Sequence, residues 1–160
     1  MVIMGIDPGL AVTGWLVLGD KMLAQGTVRT RSDIPTLARV RAIYEELQTV
    51  ADRYAVDEIV IENFKYYGKN VTSTAKMNRL IGAIYLIGNK RNFCKITEYY
   101  ADEWMKGIVG KAYKLKSKAV IRFVVEKRLG EKVDTYHTAD ACGVALYHRD
   151  IKRLGDKCQP

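Results

Sequence analysis

Apolar residues recur in two rhythms along this chain. The run "VIMGID" at residues 2–7 is short, mostly apolar and closed by turn residues, which predicts a buried strand. "TGWLVLG" and "MLAQGTVRT" predict two more, with "GDK" as the turn between them. The period then changes. Leu37, Val40, Ile43, Tyr44, Leu47 and Val50 recur three and four apart, the single apolar stripe of an amphipathic helix. Ser32 or Asp33 can cap this helix, and Pro35 suits its first turn.

"DEIVIEN" returns to strand character. Its uninterrupted Ile59, Val60 and Ile61 predict burial on both faces, as in a parallel arrangement. A polar loop, "FKYYGKNVTS", leads to a helix over 72–88 with Met77, Leu80, Ile81 and Ile84 on one side. "CKITEYY" is a fifth strand, followed by a short helical piece, "DEWMKGIV", and a Gly/Lys loop, "GKAYKLKS". A helix over 117–129 ends at Gly130, a natural C-cap. The last helix starts near Thr135 and runs to about Asp150, leaving 151–160, "IKRLGDKCQP", as a flexible tail. Three strands in succession, then strands alternating with helices, predict one α/β domain over 1–150. Its expected architecture is a five-stranded mixed sheet flanked by helices on both faces.

Composition narrows the class. Apolar residues make up 48% and charged residues 28%, which supports a globular core and argues against disorder. No apolar run approaches the roughly 18–20 residues that span a bilayer. "MVIMGID" has no basic stretch and no cleavage site, unlike a signal peptide. Cys94, Cys142 and Cys158 are odd in number and far apart, so neither a disulfide framework nor a cysteine zinc site is expected. These features suit a reduced, cytoplasmic protein. The net charge is +8, as expected of a protein that meets a polyanion. The charge is also uneven. Asn63–Tyr100 holds seven Lys or Arg and one acid, Glu98, and Lys106–Lys118 holds five lysines and no acid. A basic face fits this better than evenly spread charge.

Carboxylates stand at three structured places. In "GIDPG", Pro8 pushes Asp7 into an extended conformation, and Pro8-Gly9 favours a type II turn. Asp7 is then the last residue of a buried strand, rather than one that merely opens a surface turn. Glu62 in "IVIEN" directly follows three β-branched residues, where an ionised carboxylate is costly without a cation or donor. The strand bearing it is expected beside the first, which brings Glu62 toward Asp7. Two nearby carboxylates repel and invite a divalent metal. The third place is "HTAD". His137 and Asp140 are three apart, on one face at the start of the last helix. Alone, they also suit a capping histidine and an aspartate stabilised by the helix dipole. The small residues that follow, Ala139, Ala141, Cys142, Gly143 and Ala145, let this helix pack closely on the sheet and carry the pair to Asp7 and Glu62. Three carboxylates and an imidazole at one strand mouth suit Mg²⁺. Two ions about 3.5–4 Å apart would serve phosphodiester hydrolysis.

Taken in order, these motifs resemble those of RuvC-type Holliday junction resolvases, members of the RNase H-like superfamily. "GIDPGLAVTG" looks like their N-terminal signature, and "IVIEN" stands where they have a strand-ending glutamate. "GIVGKAYKLKSKAV" is similar to their Gly- and Lys-bearing loop, and "HTADACGVAL" stands where they carry two acids three apart. The resemblance covers about residues 1–148. It implies an RNase H-like fold and a homodimeric, Mg²⁺-dependent endonuclease that makes paired nicks in four-way DNA junctions, with Mn²⁺ as a substitute metal. Asp7, Glu62 and Asp140 carry over as acidic catalytic ligands. His137 takes the place of the fourth, where many members have Asp, and imidazole better suits Mn²⁺ or Zn²⁺ than Mg²⁺.

The same resemblance implies a DNA surface. Phe64, Tyr66 and Tyr67 are candidates to stack at the crossover in a loop one residue longer than the family's, with Lys69 beside them. Lys106, Lys111, Lys114, Lys116 and Lys118 would hold phosphates, and Ser117 would cap a helix and donate to phosphate. Other readings stay open: a nuclease for forks, flaps or RNA, or a junction-binding protein weakened by His137. A sugar kinase or actin-like ATPase shares a "GIDxG" opening but needs two such domains. Whether a branch-migration motor is a partner is open. A stand-alone, phage-encoded resolvase acting in a bacterial cytoplasm is compatible with the sequence.

Overall fold

The computed structural model describes residues 1–64, 71–90, 94–110 and 117–157. The candidates Tyr66, Tyr67, Lys69, Lys111, Lys114 and Lys116 lie outside the described residues. Strands β1 (Ile3–Asp7), β2 (Val12–Leu18) and β3 (Met22–Arg29) come first, then α1 (Thr36–Arg53). β4 (Glu58–Asn63), α2 (Val71–Lys90), β5 (Lys95–Tyr100), α3 (Ala101–Val109), α4 (Lys118–Leu129) and α5 (Tyr136–Lys157) follow. The five strands form one sheet in the order β3-β2-β1-β4-β5. β1 pairs antiparallel with β2 and parallel with β4, and β4 pairs parallel with β5. This is the mixed five-stranded α/β sheet expected from the sequence.

Period-two alternation divides the core between the two faces. Met4, Ile6, Ile59 and Ile61 pack with Ile43 and Leu47 of α1 and with Leu80 and Ile84 of α2. Ile3, Leu16 and Val60 pack on the opposite face with Trp104 of α3, Val125 of α4 and the small residues of α5. Ile59, Val60 and Ile61 are all fully buried, as their unbroken run requires. Each contributes about 1.5–3 kcal/mol.

α5 lies very close to the sheet because glycines face it. A Cβ on Gly5 of β1 would sit 2.0 Å from the carbonyl oxygen of Ala141, and one on Gly14 of β2 would sit 2.3 Å from that of His137. Side chains of Glu58 and His148 close the far end of the same helix–strand seam. His148 Nε2 lies 2.5 Å from Glu58 Oε2, and His148 Nδ1 lies 2.9 Å from the Tyr99 hydroxyl. Lys152 Nζ donates to Glu58 Oε1 at 2.7 Å.

Three local expectations are corrected. α5 does not stop near Asp150 but runs to Lys157, so 151–157 is helix rather than flexible tail. Lys152 on Glu58 and the Arg128–Asp150 ion pair hold this last stretch to the body. Gly9 is not among the residues with positive φ, so Pro8-Gly9 is not a type II turn. The Thr13 hydroxyl organises that connection instead, donating to the Gly9 carbonyl at 2.8 Å. Pro35, rather than Ser32 or Asp33, occupies the N-cap of α1 and supplies no side-chain bond. Asp33 pairs with Arg31.

Candidate active site

β1 and β4 run parallel, with Ile6 opposite Ile61, so the next residues along, Asp7 and Glu62, end side by side at the same mouth. The first turn of α5 arrives above them. Thr135 and Thr138 fix that turn reciprocally: the Thr135 N–H donates to Thr138 Oγ1 at 2.8 Å, and the Thr138 N–H donates to Thr135 Oγ1 at 3.1 Å. His137 and Asp140 therefore face the strand ends. His137 Nδ1 lies 2.7 Å from Asp7 Oδ2, with the imidazole N–H donating. Asp140 is buried and accepts from the Lys118 ammonium at the start of α4. The four residues expected to converge do so, and Lys118, expected on phosphate, rests on one of them.

The electrostatics are those of an acidic cluster that Lys118 and His137 compensate only in part. Burial, reinforced by the charges of Asp7 and Asp140, raises the Glu62 pKa to about 8. Lys118 and the indole of Trp104 oppose the rise without cancelling it. Burial also raises the pKa of Asp140, despite its bond to Lys118. At Lys118 burial works against the charged form, but Asp140, Asp7 and Glu62 more than reverse this and hold the ammonium charged. The Asp7 carboxylate raises the pKa of His137 against a smaller opposing effect of burial.

Among the described residues no three Asp, Glu, His or Cys side chains stand ready-arranged around one metal position. Two of their oxygens are nevertheless in want of a partner. Glu62 Oε2 and Asp140 Oδ1 are buried and accept no hydrogen bond from the described residues. Buried carboxyl oxygens without donors are what a divalent cation takes, displacing any proton they hold, and oxygen ligands are what a hard cation prefers. The residue set thus fits an oxygen-preferring cation, although His137 and Lys118 at present hold Asp7 and Asp140.

The other candidates fall around this centre. Phe64 is half-buried beside a shallow depression that Asn63, Val71 and Asn78 also line, and its N–H donates to Asn63 Oδ1 at 2.8 Å. Ser117 caps α4, accepting from the Val120 N–H at 3.5 Å, while Lys106 is exposed on α3. Sequence reasoning did not find Trp104 beneath Glu62 or the Glu58–His148–Lys152 cluster. "DEWMKGIV" showed only helical character, and Glu58 lies 90 positions from His148, with no local pattern to join them.

Among the described residues no helix is long and apolar enough to cross a membrane. Comparison with known proteins gives one consistent answer. The family model described as crossover junction endodeoxyribonuclease RuvC matches residues 3–148. The protein of that name from Ehrlichia chaffeensis is 32% identical over 158 residues, covering 96% of this chain and 99% of that one. The one from Halothermothrix orenii is 26% identical over 164 residues, covering 98% and 97%. In fold, the chain is similar to T. thermophilus RuvC solved in complex with a Holliday junction substrate. The TM-score is 0.85 at 24% identity, with 97% of this chain and 96% of that chain covered. With its length spanned and its motifs in unbroken order, the chain belongs to the RuvC family of crossover junction endodeoxyribonucleases.

Proposed function

We propose that this chain is a divalent-metal-dependent endonuclease that resolves four-way DNA junctions by paired phosphodiester hydrolysis. The observation that carries the chemistry is the convergence of Asp7, Glu62, His137 and Asp140, with two buried carboxyl oxygens that find no donor among the described residues. Membership of the RuvC family and the crossover junction endodeoxyribonuclease activity for which its relatives are named support the substrate class. So does the net charge of +8.

Asp7, Glu62, His137 and Asp140 would hold Mg²⁺, or Mn²⁺ in its place, and two ions fit the reading. Such ions, when bound, activate water and stabilise the leaving oxygen. The chain's residues do the rest. The carboxylates of β1 and β4 fix the position of the scissile phosphate relative to the strand mouth. Lys118, released from Asp140, moves its ammonium to a phosphate oxygen. Ser117, Lys106 and Lys69, with Lys111, Lys114 and Lys116, track the DNA backbone, and Phe64, Tyr66 or Tyr67 stacks at the crossover.

Paired nicking calls for two active sites, so the acting form is a homodimer. Its expected contact is the α1–α2 face, where Leu37, Tyr85 and Leu86 are exposed around Val40 and Ala83. Cytoplasmic action is part of the same reading.

The test is cleavage of a synthetic four-way junction beside linear duplex, fork and flap controls. Paired nicks in the junction, dependent on Mg²⁺ or Mn²⁺, are expected. An Asp7→Asn variant should still bind the junction but leave it uncut. Equal cleavage of forks and flaps would point to a broader branched-DNA nuclease, and metal-independent binding without cleavage would point to a junction-binding protein.

A further inference from the structure

Two buried polar atoms beneath the site lack partners, and they are complementary. Trp104 is fully buried and its indole N–H meets no acceptor among the described residues; Glu62 Oε2 is buried and meets no donor among them. The two side chains are near neighbours, close enough for the indole to favour the ionised carboxylate without a well-formed hydrogen bond. The ring is held in place. A Cβ on Gly143 of α5 would sit 2.4 Å from the indole Cζ3, so the helix backbone lies directly on the ring. At the head of α3 the Tyr100 N–H donates to Glu103 Oε2 at 2.7 Å, which fixes the turn that delivers Trp104. A buried donor and a buried acceptor left open side by side are costly, and a small displacement of the glutamate would join them.

We propose that Trp104 is a positioning residue for Glu62, its indole N–H taking one carboxylate oxygen as acceptor when a divalent cation engages the other. The inference rests on the cation site proposed above and deepens it. A ligand carboxylate held from behind by a fixed donor keeps one rotamer and presents one oxygen. Removing such a donor typically weakens metal binding about 10–100-fold. An indole serves here where an amide or a water would not. Its ring fills the core between α3 and α5, and its single N–H makes no demand beyond the one acceptor.

The experiment replaces Trp104 with β-(3-benzothienyl)alanine, which keeps the ring shape and lacks the N–H. Mn²⁺ binding to the intact, DNA-free protein is then measured by titration calorimetry. The isostere should fold as the parent does in EDTA yet bind Mn²⁺ about tenfold more weakly. In a Glu62→Gln background the same replacement should cause no further loss. Trp104→Phe, which keeps an aromatic ring without the N–H, provides the same comparison if the isostere accumulates poorly. An isostere that binds Mn²⁺ as tightly as the parent would overturn the positioning role and leave Trp104 a core residue. Should the parent show no Mn²⁺ binding that Asp7→Asn abolishes, the cation site itself fails and this inference with it.

Discussion

The seam between β4 and α5 carries a half-buried carboxylate at each end, and the two are treated in opposite ways. Glu58, Val60 and Glu62 share one face of the strand, so Glu58 and Glu62 meet the same helix two turns apart. At the far end burial alone would raise the pKa of Glu58, but the bonds from Lys152 and His148 outweigh it and hold the carboxyl below its ordinary range. At the near end Glu62 faces Asp7 and Asp140 and rises to about 8. The lesson is one of supply. Where the chain provides its own cations, a buried acid fastens helix to strand. Where the ammonium of Lys118 goes to Asp140 instead, Glu62 is left to a cation from outside.

The largest effect should come from neutralising the open end. Glu62→Gln is expected to lower junction cleavage by about a thousandfold or more while stabilising the metal-free protein. The sign follows from linkage. Glu62 has a folded pKa of about 8, above its ordinary 4.5, so the stability present below pH 4.5 is lost as pH rises toward 8. The Gln variant escapes this loss. Urea unfolding in EDTA at pH 8.5 should show it more stable by about 2–4 kcal/mol, and the difference should vanish near pH 4. A Gln variant no more stable at pH 8.5 would mean that Glu62 is not under strain.

Breaking the closed end should do the reverse. His148→Ala leaves the half-buried Glu58 with one partner fewer and should cost about 1–3 kcal/mol at neutral pH. Cleavage per folded molecule and Mn²⁺ affinity should stay as in the parent. Because the Glu58 pKa is lowered on folding, its contribution is present above the ordinary carboxylate pKa and disappears as pH falls through the folded value. The acid limb of the stability profile should therefore flatten in Glu58→Gln. Loss of metal affinity in His148→Ala would show that the two ends are coupled.

A smaller effect concerns His137. Asp7 raises its pKa, so in the metal-free protein the imidazolium persists above the ordinary histidine value. A metal must displace that proton, and Mn²⁺ affinity should climb up to about tenfold per pH unit until the raised pKa is passed. His137→Asp should make this slope shallower between pH 6 and 8, leaving the part due to the Glu62 proton, and retain Mg²⁺-dependent cleavage. A slope unchanged by the substitution would remove His137 from the ligand set. Smallest of all, Tyr99→Phe deletes one hydrogen bond to His148 and should cost about 1 kcal/mol, visible in unfolding and invisible in metal titration.

Much of the near end was legible in the chain, because its parts are marked by changes of pattern. Asp7 and Glu62 each close an apolar run, and the small residues after Asp140 announce a helix that lies close to a sheet. The far end was not legible. Glu58 opens a strand and His148 sits among ordinary helical residues, and only the fold makes them neighbours. The run to Lys157 escaped notice for a related reason: its outer residues carry no apolar stripe, and tertiary ion pairs hold it. Gly9 misled because Pro-Gly favours a turn that the Thr13 hydroxyl makes unnecessary. Trp104 stood out in no way within "DEWMKGIV", since nothing local tells which indole has an acid beside it.

The glycines beneath α5 extend the reach of the site into the core. A methyl group on Gly5 would drive Ala141 outward, and the rigid helix would carry Asp140 with it. A methyl on Gly14 would do the same to His137. A genetic screen for lost cleavage should therefore return substitutions at two residues that touch no substrate. In such a screen, the distance from a lesion to the chemistry would measure helix stiffness rather than functional relevance.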